Sequence, residues 1–161
     1  MPATRRGQRF VALPFLLITT LVATVLLAGP AEAQKSPRER KIAHAVAVAV
    51  NQKGDPYRYG AAGPNAFDCS GLTMFSFAKA GLSLPRVAAD QYRRVRHIPK
   101  KNVKRGDLVF FHSGGSVYHM GIFAGRAHGK RYILHAPNSG TVVRRDPIWT
   151  GSWYAGTLRR R

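Results

Sequence analysis

One cysteine and two histidines carry most of the chemistry open to this chain. Cys69 is the only cysteine among 161 residues. It stands in Phe67-Asp68-Cys69-Ser70-Gly71-Leu72, where an irregular Gly/Pro/Asn segment, Gly60 to Asn65, gives way to an apolar run from Leu72 to Ala80. Gly81 followed by Pro85 is a helix stop. Cys69 therefore falls in the first turn of a short helix. A thiol there faces unpaired backbone N–H groups and the positive end of the helix dipole, and both favour thiolate. The plainer alternative is a small buried hydrophobe, the role of most free cysteines. A nucleophilic thiol also needs a base for its proton, and the base needs a third group to fix its tautomer. His119 and His135 both lie in stretches that alternate like strands, His119 with Val117, Gly121 and Phe123, His135 with Ile133. Side chains two apart share a face. If the two strands are neighbours in a hairpin, both histidines project from one side. Cys69, His119 and His135 then supply nucleophile, base and orienting group. One strand histidine is usually a packed core residue; two beside a helix-N-terminal cysteine are harder to dismiss.

The elements that must hold these residues read as follows. Leu72, Met74, Phe75, Phe77, Ala78 and Ala80 make the cysteine's helix apolar on nearly every side, which belongs at a domain centre. Before it, Ser36-Pro37-Arg38-Glu39 opens a helix with a capping box. Ile42, Val46 and Val50 follow at four-residue spacing, and the helix should end near Asn51 to Gly54 with His44 facing solvent. Leu82 to Arg86 reads as extended and Ala88 to Val95 as a short polar helix. The basic stretch Arg93 to Arg105 overlaps its end and continues as irregular surface. Strands are predicted at Leu108 to His112, Val117 to Ala124, Arg131 to Ala136, Thr141 to Arg145 and Trp153 to Leu158, separated by Gly-rich turns. Helices first and hairpin-linked strands afterwards give an α+β fold with an antiparallel sheet. Gly114-Gly115 is a tight turn without the following helix that a phosphate loop requires.

The first 33 residues resemble a secretory signal. Arg5, Arg6 and Arg9 precede an uncharged apolar run, Phe10 to Ala28, and Ala31-Glu32-Ala33 has the small-x-small pattern of a cleavage site. The alternative is a retained membrane anchor. Cleavage after Ala33 would leave residues 34–161 as one domain, with 23 basic and 6 acidic side chains and a net charge of +17. A lone cysteine in an exported protein cannot form an internal disulfide, which favours chemistry for Cys69. Lysine and arginine cluster at Arg93 to Arg105, Arg126 to Arg131 and Arg159 to Arg161. Such charge suits anionic wall polymers or lipid headgroups, and no aromatic-stacking motif argues for nucleic acid.

From about Gly54 to the C-terminus the chain resembles the NlpC family of bacterial cell-wall cysteine peptidases, of the papain-like superfamily. The segments that carry the likeness are GDPYRYG, FDCSGL, GLSLPR, GDLVFF, YHMGIFAG and ILHAPNSG, in that order. The resemblance implies helices, including the nucleophile's central helix, packed on a five- to six-stranded antiparallel sheet. It implies a monomer without cofactor or metal that cleaves peptidoglycan stem peptides, commonly between D-glutamate and a diamino acid. It puts the nucleophile on Cys69, the base on His119, the third polar residue on His135 and an oxyanion-assisting tyrosine on Tyr57. Asp68 and Ser70 fall on positions implicated in gripping the stem peptide or its free amine. Two departures are Gly60-Ala61 where Gly-Gly is common, and Val87-Ala88 where a small hydroxylated residue usually follows Leu-Pro-Arg. Three other readings use the same residues: a zinc site, a non-catalytic basic binding module, and an acyltransferase on the same scaffold.

Overall fold

The computed structural model describes residues 35–160. The leader expected at 1–33 and its cleavage site lie outside the described residues.

Helix α1 (Pro37–Asn51) begins as its sequence directs. The Ser36 hydroxyl accepts the Glu39 N–H at 3.2 Å, and the Glu39 carboxylate accepts the Ser36 N–H at 2.9 Å. A completed cap of this kind is worth about 1 kcal/mol. Ile42, Ala45, Val46 and Ala49 form the buried face; His44 is exposed as expected, and so is Val50, which the spacing assigned to the core.

Helix α2 (Cys69–Lys79) packs against α1 and the sheet. Its burial differs from the all-round apolar expectation. Thr73 and Ser76 are fully buried, while Met74 and Phe75 are only half-buried and Ala78 is exposed. Thr73 tolerates this because its hydroxyl lies 2.8 Å from both the Ser70 carbonyl and Gln91 Oε1. Gly71 is required by proximity. A Cβ there would sit 2.1 Å from the Ala61 carbonyl, the same oxygen that accepts the Asp68 N–H at 2.9 Å. Only glycine lets that loop lie on the helical turn that carries Cys69.

Helix α3 (Ala88–Arg94) starts at Val87, which offers no side-chain cap. The chain then forms a short strand, β1 (Arg96–Ile98), and one 3-10 turn (Lys100–Asn102), where sequence had read irregular surface. Basic side chains hid the strand, because they are exposed and its pairing is long-range. It pairs antiparallel with β6 (Trp153–Thr157).

The remaining strands are β2 (Leu108–Ser113), β3 (Ser116–Ala127), β4 (Lys130–His135) and β5 (Arg144–Pro147). The sheet is antiparallel in the order β1-β6-β2-β3-β4-β5. The β2–β3 turn is Gly114-Gly115, with φ of +53° and +86°, the positive pair a two-residue hairpin turn of this twist demands. Leu108, Phe110, Met120, Ile122 and Leu134 join Ile42, Leu72 and Phe77 in the helix-side core. Val109, Phe111, Phe123, Ile133, Trp153 and Ala155 make a second cluster.

One strand is displaced from its expected place. Residues 141–143 pair with the segment before Cys69: Thr141 O accepts the Tyr57 N–H and the Asp55 carbonyl accepts the Val143 N–H, each at 2.8 Å. Only from Arg144 does the chain join β4. This detour ties Tyr57 to the sheet. Among the described residues no helix is long and apolar enough to cross a membrane.

Candidate active site

Cys69 is the first residue of α2, capped by Asp68, whose Oδ1 accepts the Gly71 N–H at 2.7 Å. The helix start was expected to lower the thiol pKa. The structure reverses that. Burial pushes the thiol up, the neighbouring Asp68 carboxylate adds to this, and the N–H groups of Met120, Ser70 and Cys69 only partly offset them. The thiol is protonated at rest.

The structure brings His119 and His135 together. Ile122 is paired with Leu134 and Phe123 with Ile133, so β3 and β4 are neighbours in the register that the histidine pair needs. His119 Nε2 lies 2.7 Å from His135 Nδ1, with the rings 65° apart. Their relative exposures, 7% and 1%, put this bond out of water. Burial and then the neighbouring His135 hold His119 down to a pKa of about 3, so it is neutral at rest. Burial also lowers His135, although Asp146 pulls the other way.

Asp146 was not foreseen. Its Oδ2 is 3.1 Å from His135 Nε2 and accepts from Arg144 Nε at 2.7 Å. Burial would raise this carboxyl, but the bonds to Arg144 and His135 outweigh it and hold the group below its usual range. An ionised carboxylate only accepts. His135 must therefore carry its proton on Nε2 and present a bare Nδ1. His119 must then donate from Nε2, which leaves the lone pair on its Nδ1 open to accept a proton. One carboxylate thus fixes two tautomers in series.

Tyr57 lies near enough for the Cys69 and Asp68 charges to act on it. Burial first, and then those charges, raise its hydroxyl, so it stays a proton donor. Asp68 and Ser70 also meet at the site, but their polar atoms are engaged. Asp68 takes the Gly60 N–H, the Gly71 N–H and both terminal nitrogens of Arg86; Ser70 Oγ accepts from Arg86 at 2.9 Å and donates to Asp68 at 3.3 Å. Burial alone would raise Asp68; Arg86 and the two N–H groups outweigh it and keep the carboxyl low. A carboxylate offers about four lone-pair positions. These donors use them, so Asp68 anchors the first turn of α2.

Two further residues complete the site. Gln91, fully buried on α3, donates to the Ser70 carbonyl at 2.9 Å and to the Pro85 carbonyl at 2.8 Å, locking the start of α2 to the following segment. Trp149 stacks on Phe111 at 4.2 Å and lies 6.0 Å from the His119 ring and 5.6 Å from His135. It remains 53% exposed and roofs the histidine pair. Its only sequence signal was a tryptophan in the segment between two strands.

Comparison with known proteins fits this geometry. Residues 54–161 match the model of the NlpC/P60 family. The chain is 44% identical over 109 residues to the bifunctional muramidase/DL-endopeptidase CwlT of Bacillus subtilis, covering 65% of this chain and 31% of that protein. It spans between 20% and 56% of the length of the curated relatives it matches. The P60 domain of the Mycobacterium avium subspecies paratuberculosis antigen MAP1204 superposes with a TM-score of 0.66 at 30% identity, over 76% of this chain and 97% of that one. The fold alone is shared with RipD of Mycobacterium tuberculosis, a non-catalytic NlpC/p60 domain protein adapted to peptidoglycan binding, at TM-score 0.63 and 23% identity over 74% of this chain and 98% of that one. With the matched region covering the whole sheet and the cysteine–histidine site, the chain belongs to the NlpC/P60 family.

Proposed function

We propose that this chain is an exported cysteine-type peptidoglycan endopeptidase, its leader removed after Ala33, that hydrolyses the bond between D-glutamate and the diamino acid of the stem peptide. The observation that carries the reading is the buried bond from His119 Nε2 to His135 Nδ1, continued to Asp146. It directs the remaining imidazole nitrogen to proton transfer, and a merely packed histidine has no need of such a relay. The relative CwlT is named a DL-endopeptidase, which agrees with the bond chosen.

In the mechanism, His119 Nδ1 takes the Cys69 proton as the sulfur attacks the amide carbonyl. A resting ion pair is disfavoured, because the thiol is raised and the imidazole lowered. Proton transfer and attack are therefore coupled. The Cys69 N–H at the helix start and the Tyr57 hydroxyl stabilise the oxyanion; a well-aimed donor contributes about 3–4 kcal/mol. The imidazolium, steadied by His135 and Asp146, then protonates the leaving amine. Water, deprotonated by His119, releases the product from the thioester.

The zinc reading is disfavoured by geometry. Two nitrogens on one tetrahedral zinc, each about 2.0–2.1 Å from it, stand about 3.3 Å apart; His119 and His135 are at 2.7 Å and bonded to each other. Digestion of purified peptidoglycan, followed by mass spectrometry of the new termini, tests the proposal. Wild type is expected to release diamino-acid amino termini, and Cys69→Ala none. Equal release by both would remove Cys69 from the chemistry; no release by either would leave a binding module; transfer to added amines in place of water would indicate the acyltransferase.

A further inference from the structure

Far from the histidines lies a cavity of about 1100 Å³. It is built from the start of α1, strand β1, the 3-10 turn and the end of β6. In the sheet order, β1 is three strands from β3, roughly 14 Å at strand spacing. None of Cys69, His119, His135, Tyr57 or Trp149 lines it.

Its lining is strongly cationic. Arg38, Lys41, Arg96, Lys101, Lys104 and Arg160 face it, together with Arg159. The two carboxylates in the lining are already engaged. Asp107, buried in the floor, pairs with Arg159 and accepts the Thr157 hydroxyl at 2.6 Å. Glu39 is committed to the Ser36 N–H. Arg96, Lys101, Lys104 and Arg160 are exposed, and among the described residues none has an ion-pair partner. Cations left uncompensated around one cavity repel each other unless an anion enters. The first turn of α1, a 15-residue helix, adds its positive end from Ser36 to Glu39.

We infer that this cavity is a binding site for a phosphodiester-linked polyol or sugar polymer of the bacterial cell wall. The volume exceeds the usual 300–1,000 Å³ of a small-ligand pocket, so several repeat units fit where one phosphate would leave most of the cavity empty. The lining holds no aromatic residue, and only Pro37, Ile98 and Val103 are apolar. Bases would find nothing to stack on, and an acyl chain would find no apolar slot. A polymer with charge at regular intervals and no large apolar group fits what remains. Bound at the β1 edge, it would hold the domain on the wall while the histidine side of the sheet stays open. The site stands whether or not Cys69 cleaves.

The test uses Cys69→Ala protein and immobilised polyglycerol phosphate, with affinity measured across salt concentrations. Lys101→Gln, Lys104→Gln and Arg160→Gln combined are expected to weaken binding at least tenfold at 0.1 M salt and to flatten the log–log salt slope by about 2, three lost cations at about 0.7 each. Lys53→Gln, Arg126→Gln and Lys130→Gln, also exposed, remove the same charge elsewhere and are expected to cost less than about twofold by the same counterion argument. In the Cys69 background the first triple is expected to cleave soluble muropeptides at the parent rate, which separates this site from catalysis. Equal weakening by both triples would reduce the site to diffuse charge and overturn the inference. So would absence of binding, or tighter binding to single-stranded DNA or to phosphatidylglycerol vesicles than to the polymer.

Discussion

Asp146→Asn tests the two-histidine relay without touching either histidine. The carboxylate accepts from His135 at 3.1 Å, and His135 meets His119 at 2.7 Å; with the width of one ring between, the charge is about 7 Å from the His119 imidazole. At the transition state His119 becomes imidazolium. Two unit charges about 7 Å apart at an effective dielectric of about 20 attract by about 2 kcal/mol. The Asp146 side chain is 28% exposed, so solvent screening trims this to about 1–2 kcal/mol. Asparagine keeps the shape but removes the charge. Its amide can also turn an N–H towards His135 and reverse both tautomers, putting the proton on the nitrogen that should be the base. The expected result is a fall in kcat of about 5- to 30-fold with KM nearly unchanged, measured by chromatography of muropeptide products at matched folded concentration. His135→Ala is expected to lose at least as much while keeping activity above Cys69→Ala. Because Asp146 acts through His135, the double variant His135→Ala/Asp146→Asn should be no slower than His135→Ala alone. Wild-type turnover in Asp146→Asn, or additive losses in the double variant, would refute the relay.

Two other outcomes follow from the same structure. Alkylation of Cys69 by iodoacetamide should accelerate with pH through the alkaline range, since burial and Asp68 raise the thiol and His119 is neutral at rest; a rate plateau between about pH 4 and 7, a window bracketed by ordinary imidazole and carboxyl values, would reveal a resting ion pair and sink the coupled mechanism. Val87→Thr keeps the branched shape at a 54% exposed position and gives α3 the hydroxyl cap it lacks; calorimetry should show a gain of about 1 kcal/mol, or a Tm higher by about 2–6 °C, and an unchanged Tm would mean that the cap geometry is not reached.

Which parts of this site could be read from sequence depended on the range of the forces that set them. Cys69 at a helix start was legible because the Gly/Pro boundary and the apolar run both lie within a dozen residues of it. The shared face of His119 and His135 was legible because strand period is local and a Gly-containing turn joins β3 to β4. The same local reasoning gave the wrong sign for the thiol. It saw the helix start and could not see how deeply α2 is buried, and burial dominates. It also gave Thr73 and Ser76 no place in the core, although small hydroxyls fit where α2 meets its neighbours and Thr73 finds Gln91 there.

Asp146 was missed for a related reason, and that reason shows how the site is assembled. Alternation placed a strand from Thr141 to Arg145 and stopped one residue short of it. In the fold, 141–143 are diverted to pair with the segment from Gly54 to Tyr57, some eighty residues earlier in the chain. Pairing with β4 begins only at Arg144, opposite His135. The diversion has two consequences at once. It holds Tyr57 beside the helical turn of Cys69, and it sets the register that carries Asp146 to the far nitrogen of His135. Tyr57, the proposed oxyanion donor, and Asp146, the carboxylate bonded to His135, are therefore positioned by one long-range pairing. A change that weakened the Tyr57–Thr141 and Asp55–Val143 bonds would disturb both ends of the proposed catalytic apparatus, although neither bond touches the cysteine.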